Sequence, residues 1–362
     1  MEKIKVLMIS ATSKLGGGPN MMFYLADHLK NDHEIFYALP KSRNLRNNVL
    51  GKNYAQISER RISFFDIVKL INFVRKNSIN IIHAHGKGAS LISRIIAFFL
   101  NKPLVYTFHG IHLKCHSKIY QYLYIFYENI FGKGDKCKVF VSFSERTYAI
   151  NSNIKIGNES IVISNGVRNR RKNYFKKFID KKKYKFPEKR INIISIARFV
   201  KQKNIIEILQ IASLIPECNF IILGDGPLSP EILFFKDKMQ INNVNLLGSK
   251  TNIFNYLKRA DMFLTTSLYE GLPLSVLEAM SVGLPIIASN VVGNCDTIEH
   301  YKSGFLYDLG DIESASKYIR MLSKNDCLRA SMSKESINRQ RKLFSIKNMS
   351  NKYAKIYRKY SR

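Results

Sequence analysis

The sequence predicts an α/β protein built from two Rossmann-like, doubly wound parallel-sheet domains facing each other across a cleft. Three observations lead there. A chain of 362 residues exceeds what one hydrophobic core usually supports, so two domains are expected. Short apolar runs alternate with amphipathic stretches in both halves, the rhythm of β-α-β units around a parallel sheet. A densely charged stretch without apolar period, 169–190, separates the two rhythms. The expected organisation is therefore a first domain over 1–168, a basic connection over 169–190 and a second domain over 191–344, with a C-terminal helix over about 345–362 packing back on the first domain.

In the first half, strands are expected at Lys5 to Ser10, His33 to Ala38, Ile79 to His83, Leu104 to Phe108 and Val139 to Ser142. Helices are expected near Asn20 to Leu29, Phe65 to Lys76, Ala89 to Leu100 and Lys118 to Phe131. The second half restarts with strands at Ile191 to Ile196, Asn219 to Leu223, Val244 to Leu246, Met262 to Thr265 and Pro285 to Ala288. Its helices are expected near Asn204 to Ser213, Pro230 to Met239, Ile253 to Arg259, Pro273 to Ser281 and Ile312 to Ser323. No sequence repeat of solenoid period is present, so the duplication is one of architecture.

Composition narrows the class. Hydrophobic residues make up 46% and prolines number nine, as in ordinary globular proteins. Cys115, Cys137, Cys218, Cys295 and Cys327 are scattered and never form a C-x-x-C pair, so free thiols in a reducing compartment are expected, without disulfides or zinc. The start of the chain lacks the features of a signal peptide. Apolar runs such as Ile95 to Leu100 and Val282 to Ala288 fall far below the roughly 18 to 20 residues that cross a bilayer. A cytoplasmic protein, at most peripheral on the inner membrane face, is expected. The net charge of +31, from 58 Lys and Arg against 27 Asp and Glu, attracts polyanions or an anionic membrane leaflet. Lys, Ile and Asn are all abundant, so a compositional habit explains the charge equally well.

Ligands in open α/β sheets bind beyond the carboxyl ends of the strands, which directs attention to the loops there. After the first strand, Gly16-Gly17-Gly18-Pro19-Asn20 leads into a helix, permitting close backbone approach and offering N–H groups to an anion. A plain turn would need the same residues. After the strand at Met262 to Thr265 comes Tyr269-Glu270-Gly271-Leu272-Pro273-Leu274-Ser275-Val276-Leu277-Glu278-Ala279-Met280, with a proline that starts a helix. Glu270 then lies in the loop and Glu278 on the helix, while backbone N–H groups of Gly271, Leu272, Pro273's neighbours and Leu274 face a bound anion. Two carboxylates flanking an anion site suit a nucleotide sugar, which offers sugar hydroxyls, a diphosphate and the vicinal hydroxyls of a ribose. His83 and His85 form an H-x-H pair, but without nearby Asp or Cys ligands no metal is expected.

The stretch from Glu270 through Glu278, continuing to Gly283-Leu284-Pro285-Ile286-Ile287-Ala288, resembles the E-x7-E signature of glycosyltransferase family 4, retaining enzymes of the GT-B fold. Ala197-Arg198-Phe199-Val200-Lys201-Gln202-Lys203-Asn204 is similar to the family's Arg and Lys pair, and Gly224-Asp225-Gly226-Pro227 to its G-x-G-P loop. Gly304-Phe305-Leu306 with Gly310-Asp311 resembles the tail of the donor domain. In the first half, Thr107-Phe108-His109-Gly110, Val141-Ser142-Phe143-Ser144-Glu145 and Ser164-Asn165-Gly166-Val167 stand where such enzymes carry comparable residues.

The resemblance implies a retaining hexosyltransferase of the bacterial surface-polysaccharide type, with the acceptor on the first domain and a nucleotide-sugar donor, a UDP-sugar, on the second. Catalytic roles fall to Glu270, Arg198, Lys203 and His109. Arg198 and Lys203 would hold the donor diphosphate, and His109 would contact the donor sugar or support developing positive charge through its carbonyl. Donor binding falls to Gly16, Gly17, Gly224, Gly226, Gly271, Leu272, Pro273, Leu274 and Glu278, with no metal and no cofactor. One departure lies after Val291-Val292-Gly293, where Asn294-Cys295-Asp296 replaces an acidic residue common in the family.

The acceptor side is less specific. Cys115 to Phe131, with Tyr120, Tyr122, Tyr124, Phe126 and Tyr127, is either a core helix or an amphipathic surface element. The second alternative, with the basic first domain, points to an anionic membrane carrying a lipid-linked or oligosaccharide acceptor for lipopolysaccharide O-antigen, capsule or exopolysaccharide synthesis. No nucleic-acid recognition motif is present. The rival readings are a nucleotide-sugar epimerase on the same architecture and a catalytically inactive polyanion-binding protein.

Overall fold

The computed structural model describes residues 3–12, 16–41, 53–59, 63–157, 159–170, 186 and 190–361. The chain divides into two compact units, one made of Met1–Gly166 with Ile346–Arg362 and the other of Val167–Ser345. Most of the expected basic connection, 171–185 and 187–189, lies outside the described residues.

The first unit runs β1 (Ile4–Ile9), α1 (Gly17–Leu29), β2 (His33–Pro40), β3 (Tyr54–Ile57), α2 (Phe64–Lys76), β4 (Ile81–His85), α3 (Lys87–Phe99), β5 (Leu104–Thr107), α4 (Lys118–Phe131), β6 (Cys137–Phe140), α5 (Phe143–Asn151) and β7 (Ser160–Val162). Its seven strands are all parallel in the order β3-β2-β1-β4-β5-β6-β7. Strands covered on both faces read as nearly unbroken apolar runs, as Val6 to Ile9 do. Ser63, Ser117 and Ser142 cap α2, α4 and α5, their hydroxyls accepting from Phe65, Tyr120 and Glu145 N–H groups that lack a helical partner.

The second unit runs β8 (Asn192–Ile196), α6 (Ile205–Leu214), β9 (Asn219–Leu223), α7 (Ser229–Lys238), β10 (Val244–Leu246), α8 (Ile253–Leu257), β11 (Met262–Thr265), α9 (Leu274–Ser281), β12 (Ile286–Ser289), α10 (Asn294–Thr297), β13 (Gly304–Tyr307), α11 (Ile312–Lys324) and α12 (Asp326–Leu343). Six parallel strands follow the order β10-β9-β8-β11-β12-β13. A last helix, α13 (Ile346–Tyr360), belongs to the first unit, where its Tyr353 and Tyr357 are fully buried.

Both sheets thus share one order: three strands progress outward one way, then the chain returns to the centre and progresses the other way. The reversal falls between β1 and β4 in one sheet and between β8 and β11 in the other, and a crevice at the carboxyl ends is expected at such a switch point. The fold class is the one expected, two Rossmann-like parallel-sheet domains.

Local differences have physical reasons. The strand expected at Ile79 to His83 runs instead over Ile81–His85, which brings His85 to the carboxyl edge. The strand expected from Val139 starts at Cys137 and includes buried Lys138, whose ammonium donates to the Lys155 carbonyl at 2.7 Å. A lysine inside a strand buried on both faces is illegible without that acceptor. Edge strands β3 and β7 are short and half-polar, so they left no periodic signal.

Candidate active site

At the switch point of the second sheet, the loops after β8 and β11 are zipped together. Thr266, fully buried, bridges by its hydroxyl to the carbonyls of Lys203 (3.1 Å) and Asn204 (2.9 Å). The Leu268 N–H donates to the Gln202 carbonyl at 2.8 Å, and the Gln202 amide donates to the Tyr269 carbonyl at 2.9 Å. Asn204 takes the left-handed conformation (φ 48°) at the start of α6, its amide donating to buried Glu207 at 2.6 Å. Glu207 also accepts from the Tyr307 hydroxyl at 2.8 Å, and burial pushes its carboxyl up. These contacts fix Lys203 at one end of the site.

Lys203 forms an ion pair with Glu270, both side chains largely removed from water. The second Glu270 oxygen lies 3.5 Å from the Gln202 amide. Arg198, in the same loop, is exposed, and its side chain has no ion-pair partner among the described residues. The structure therefore brings Lys203 and Glu270 together and leaves the Arg198 guanidinium facing solvent beyond β8.

The glycines explain how the loops cross. A Cβ on Gly224 would lie 1.7 Å from the Ala197 carbonyl oxygen, and one on Gly226 2.4 Å from that of Phe199. The Phe199 N–H donates to the Asp225 carbonyl at 2.9 Å in that crossing. Gly293, at φ 85°, would meet the Gly271 carbonyl at 2.5 Å, and the Glu270 N–H donates to Val292 O at 3.2 Å. Glycine is required at these close approaches whatever else it binds. Gly293, Thr266 and Gln202 hold these loops together; in the sequence Gln202 and Gly293 are only neighbours within motifs, and Thr266 carries no signal of its own.

Gly271, Leu272, Pro273 and Leu274 are buried, and α9 begins at Leu274 with Pro273 as its cap, one residue later than the proline start expected. No side chain caps this helix, so its first N–H groups are open to a partner. Glu278 is buried on α9 at 7% exposure. In the departing loop, Asn294 is fully buried, donates to the Ser289 carbonyl at 3.0 Å and opens α10.

The switch point of the first sheet is furnished differently. His83 and His85, two apart on β4, share one face of the sheet. The His83 ring nitrogens are engaged by the Tyr357 hydroxyl (2.6 Å) and the Thr107 hydroxyl (2.8 Å). His85 Nδ1 lies 3.2 Å from His109 Nε2, with 14° between the ring planes. Burial holds all three imidazoles below their ordinary range, His109 down to about 4. Among the described residues, no group of three or more His, Cys, Asp or Glu could hold a metal ion.

Gly16 caps α1 in extended conformation, and a Cβ on Gly17 would meet open space. The steric demand in that loop falls on Gly18, where a Cβ would lie 3.2 Å from the His109 ring.

On α4, Glu128 is fully buried while Ile119, Tyr122, Leu123, Phe126, Ile130 and Phe131 are exposed. Tyr124 and Tyr127 turn inward, so the aromatic stretch is split between core and surface. Arg94 of α3 holds the helix from within, donating to Glu128 at 2.7 Å and through two nitrogens to Asp135 at 3.0 and 2.6 Å. One face of α4 thus packs inward with Tyr124, Ile125 and buried Glu128, while its other face turns apolar side chains to water. No helix among the described residues is long and apolar enough to cross a membrane.

Comparison with known proteins follows this division of the chain. Residues 15–171 match the family model described as Glycosyltransferase Family 4, and residues 176–339 the model described as Glycosyl transferases group 1. The chain is 29% identical, over 72% of each chain, to the Escherichia coli UDP-Gal:alpha-D-GlcNAc-diphosphoundecaprenol alpha-1,3-galactosyltransferase. It is 25% identical to the Staphylococcus aureus capsular polysaccharide biosynthesis glycosyltransferase CapM, covering 87% of this chain and 82% of that one. Among solved structures, Anabaena HepE in complex with UDP and glucose superimposes with a TM-score of 0.85 at 16% identity, over 98% of this chain and 99% of that one. That likeness establishes the GT-B fold class. Because the two family models together take in most of the sequence, one for each sheet, the chain belongs to glycosyltransferase family 4 and is a glycosyltransferase.

Proposed function

We propose that the chain transfers a hexose or N-acetylhexosamine from a UDP-sugar, with retention at the anomeric carbon, to a lipid-linked or oligosaccharide acceptor in lipopolysaccharide O-antigen, capsule or exopolysaccharide synthesis. The observation that carries this reading is the Lys203–Glu270 pair at the second sheet's switch point, beside exposed Arg198 and the uncapped start of α9. The E. coli relative named for a UDP-galactose donor and a diphosphoundecaprenol-linked acceptor, and the UDP complex of the Anabaena neighbour, support the donor and acceptor classes.

In the proposed reaction the acceptor hydroxyl attacks C1 on the face from which the nucleotide leaves. The C1–O bond to the β-phosphate breaks, the acceptor oxygen bonds to C1, and the departing phosphate oxygen takes the acceptor's proton. No protein nucleophile enters. Arg198 and Lys203 compensate the charge that grows on the leaving diphosphate, and Lys203, already held against Glu270, needs little reorganisation during the step. The N–H groups of Gly271, Leu272 and Leu274 assist them, and no metal is required. Glu270 binds sugar hydroxyls rather than donating a proton, unlike the acid of a glycosidase, because phosphate already leaves well. Glu278 takes the ribose hydroxyls, Gly16, Gly17, Gly224 and Gly226 line the donor's path, and His109 contacts the donor sugar.

The apolar face that α4 turns to water supports docking of the first unit on the inner face of an anionic membrane, where a lipid-linked acceptor is reached. Lys114, Lys118 and Lys133 flank the exposed apolar face with matching charge.

The decisive test is transfer of labelled sugar from a panel of UDP- and GDP-sugars by wild type, Glu270→Gln and Arg198→Ala. Both variants are expected to lose about 10² to 10³ in kcat, the size seen when one preorganised charge partner is removed. Full transferase activity in both would overturn the assignment, and release of an epimerised free sugar would favour the epimerase.

A further inference from the structure

We infer that His85 is a positioning residue that fixes the tautomer of His109, so that His109 presents a neutral Nδ1–H as a hydrogen-bond donor to an oxygen of the donor sugar. The inference rests on the proposed contact between His109 and that sugar.

The argument is one of hydrogen-bond accounting. Both nitrogens of His83 are committed to Tyr357 and Thr107, so this ring is locked from beneath by α13 and β5. His85 packs against it with centroids 3.9 Å apart and is itself buried. Its Nδ1 meets His109 Nε2, while its Nε2 is buried without a partner. Two neutral arrangements are then available. If His109 Nε2 carried the shared proton, His85 would have to carry its own on Nε2, leaving a buried N–H without an acceptor. If His85 Nδ1 carries it, what is left in the core is an unpaired lone pair. An orphaned buried N–H is the rarer and costlier of the two.

The second arrangement therefore prevails: His85 Nδ1–H donates to His109 Nε2, and the His109 proton resides on Nδ1. That nitrogen has no hydrogen bond among the described residues. The ring lies close over the Gly18 backbone, where an added Cβ would come within 3.2 Å of it, so a side chain there would push it aside. Burial also disfavours an imidazolium here, so a neutral donor is what the site supplies. An uncharged N–H can engage a sugar hydroxyl without opposing the positive charge that develops at C1. This accounts for the H-x-H pair on β4 without a metal: His83 is the floor, and His85 orients the ring above it.

The test reads the tautomer directly, on the full chain labelled with 15N-histidine and without any donor. The His109 signals are assigned by their loss in His109→Gln. Wild type is expected to show His109 protonated on Nδ1. His85→Asn, whose amide nitrogen can occupy the place of Nδ1 and donate, is expected to keep that form. His85→Leu is expected to give mixed tautomers and to lower kcat by about 10- to 100-fold, as loss of an orienting hydrogen bond does, with KM changed far less. Protonation of His109 on Nε2 in wild type would overturn the inference, as would an unchanged Nδ1–H in a His85→Leu protein whose circular dichroism is native. Should His85→Leu not fold, the wild-type and His85→Asn spectra decide alone. Because the tautomer is read without turnover, absence of transferase activity would count against the proposed function and not against this arrangement.

Discussion

At the carboxyl edge of the second sheet the chain gathers opposite charges: Lys203 pairs with Glu270, and Arg198 stands free in solvent. At the same edge of the first sheet it gathers three imidazoles that burial keeps neutral. Strand order is the same in both, with the reversal at the same place. The difference teaches that topology fixes where a site is built and leaves its chemistry to the few residues after each strand. Backbone crossings at Gly224, Gly226 and Gly293 hold the charged edge together, whereas side-chain hydroxyls from α13 and β5 hold the neutral one.

The largest effect that would break this contrast comes from the glycines. Gly224→Ala forces a Cβ against the Ala197 carbonyl oxygen and should separate the loops that carry Arg198 and Lys203. We expect a loss of about 1–3 kcal/mol in denaturant unfolding, the usual cost of overpacking, and transfer activity reduced about 100-fold or more, since small misplacement of charged groups is that costly. Gly17→Ala, with open space at its Cβ and a helical backbone, should instead be neutral or stabilise by up to about 1 kcal/mol. Equal losses in both would show that the two glycine loops do the same work.

Acid should separate the two units next. His33, His83, His85 and His109 all lie in the first unit, and burial lowers each of them. An unfolded histidine titrates near 6.5, so above that pH the buried neutral rings cost nothing. As pH falls below it, the unfolded chain binds protons that the folded one refuses, and stability is lost until the folded pKa is reached. Between pH 6.5 and 5.5 His109 removes about 1 kcal/mol, and burial makes His83 and His85 act in the same direction. The second unit holds only His300, which is lowered more mildly by partial burial. Buried Glu128 and Glu207 shift upward and act in the opposite sense, but one lies in each unit and they offset in the comparison. Hydrogen exchange followed by peptide mass at the two pH values should show the first unit opening first. Equal protection in both units at pH 5.5 would refute the neutral cluster.

The two edges also differed in how far the sequence disclosed them. On the charged side, a proline at a helix start and two glutamates eight apart mark loop and helix in the sequence, and alternation of apolar runs marks the strands other than β3, β7 and β13, though not their order in the sheet. The Lys203–Glu270 pair was not legible, because 67 residues separate its members and only the crossing of two loops makes them neighbours. On the neutral side, His83 and His85 looked like a lone pair of histidines. Tyr357, which bonds to His83, and Tyr353, which bonds to Thr107 beside it, arrive from the far end of the chain, on a helix whose polar residues conceal the buried face. Sequence pattern reports local periodicity; it is silent on which distant hydroxyl completes a hydrogen bond.

The smallest effect concerns the surfaces away from the two edges. In the first unit α4 carries the longest set of exposed apolar side chains, with others such as Phe65 on α2 and Phe98 on α3, and in the second unit Leu233 and Phe234 stand exposed on α7, Phe234 at 68%. If α4 docks on a membrane, Leu123→Asp with Phe126→Asp should weaken sedimentation with phosphatidylethanolamine–phosphatidylglycerol vesicles about 10- to 100-fold, from the apolar area no longer removed from water. Phe234→Asp should leave it unchanged. Higher salt should weaken wild-type binding as well, because the flanking lysines are screened. Absence of wild-type binding at low salt would end the membrane reading, and equal losses from both substitutions would show adhesion without a preferred face. Neither outcome would be confused with unfolding: Leu123 and Phe126 point outward, and α4 is held by Arg94, Glu128 and Asp135 on its opposite side.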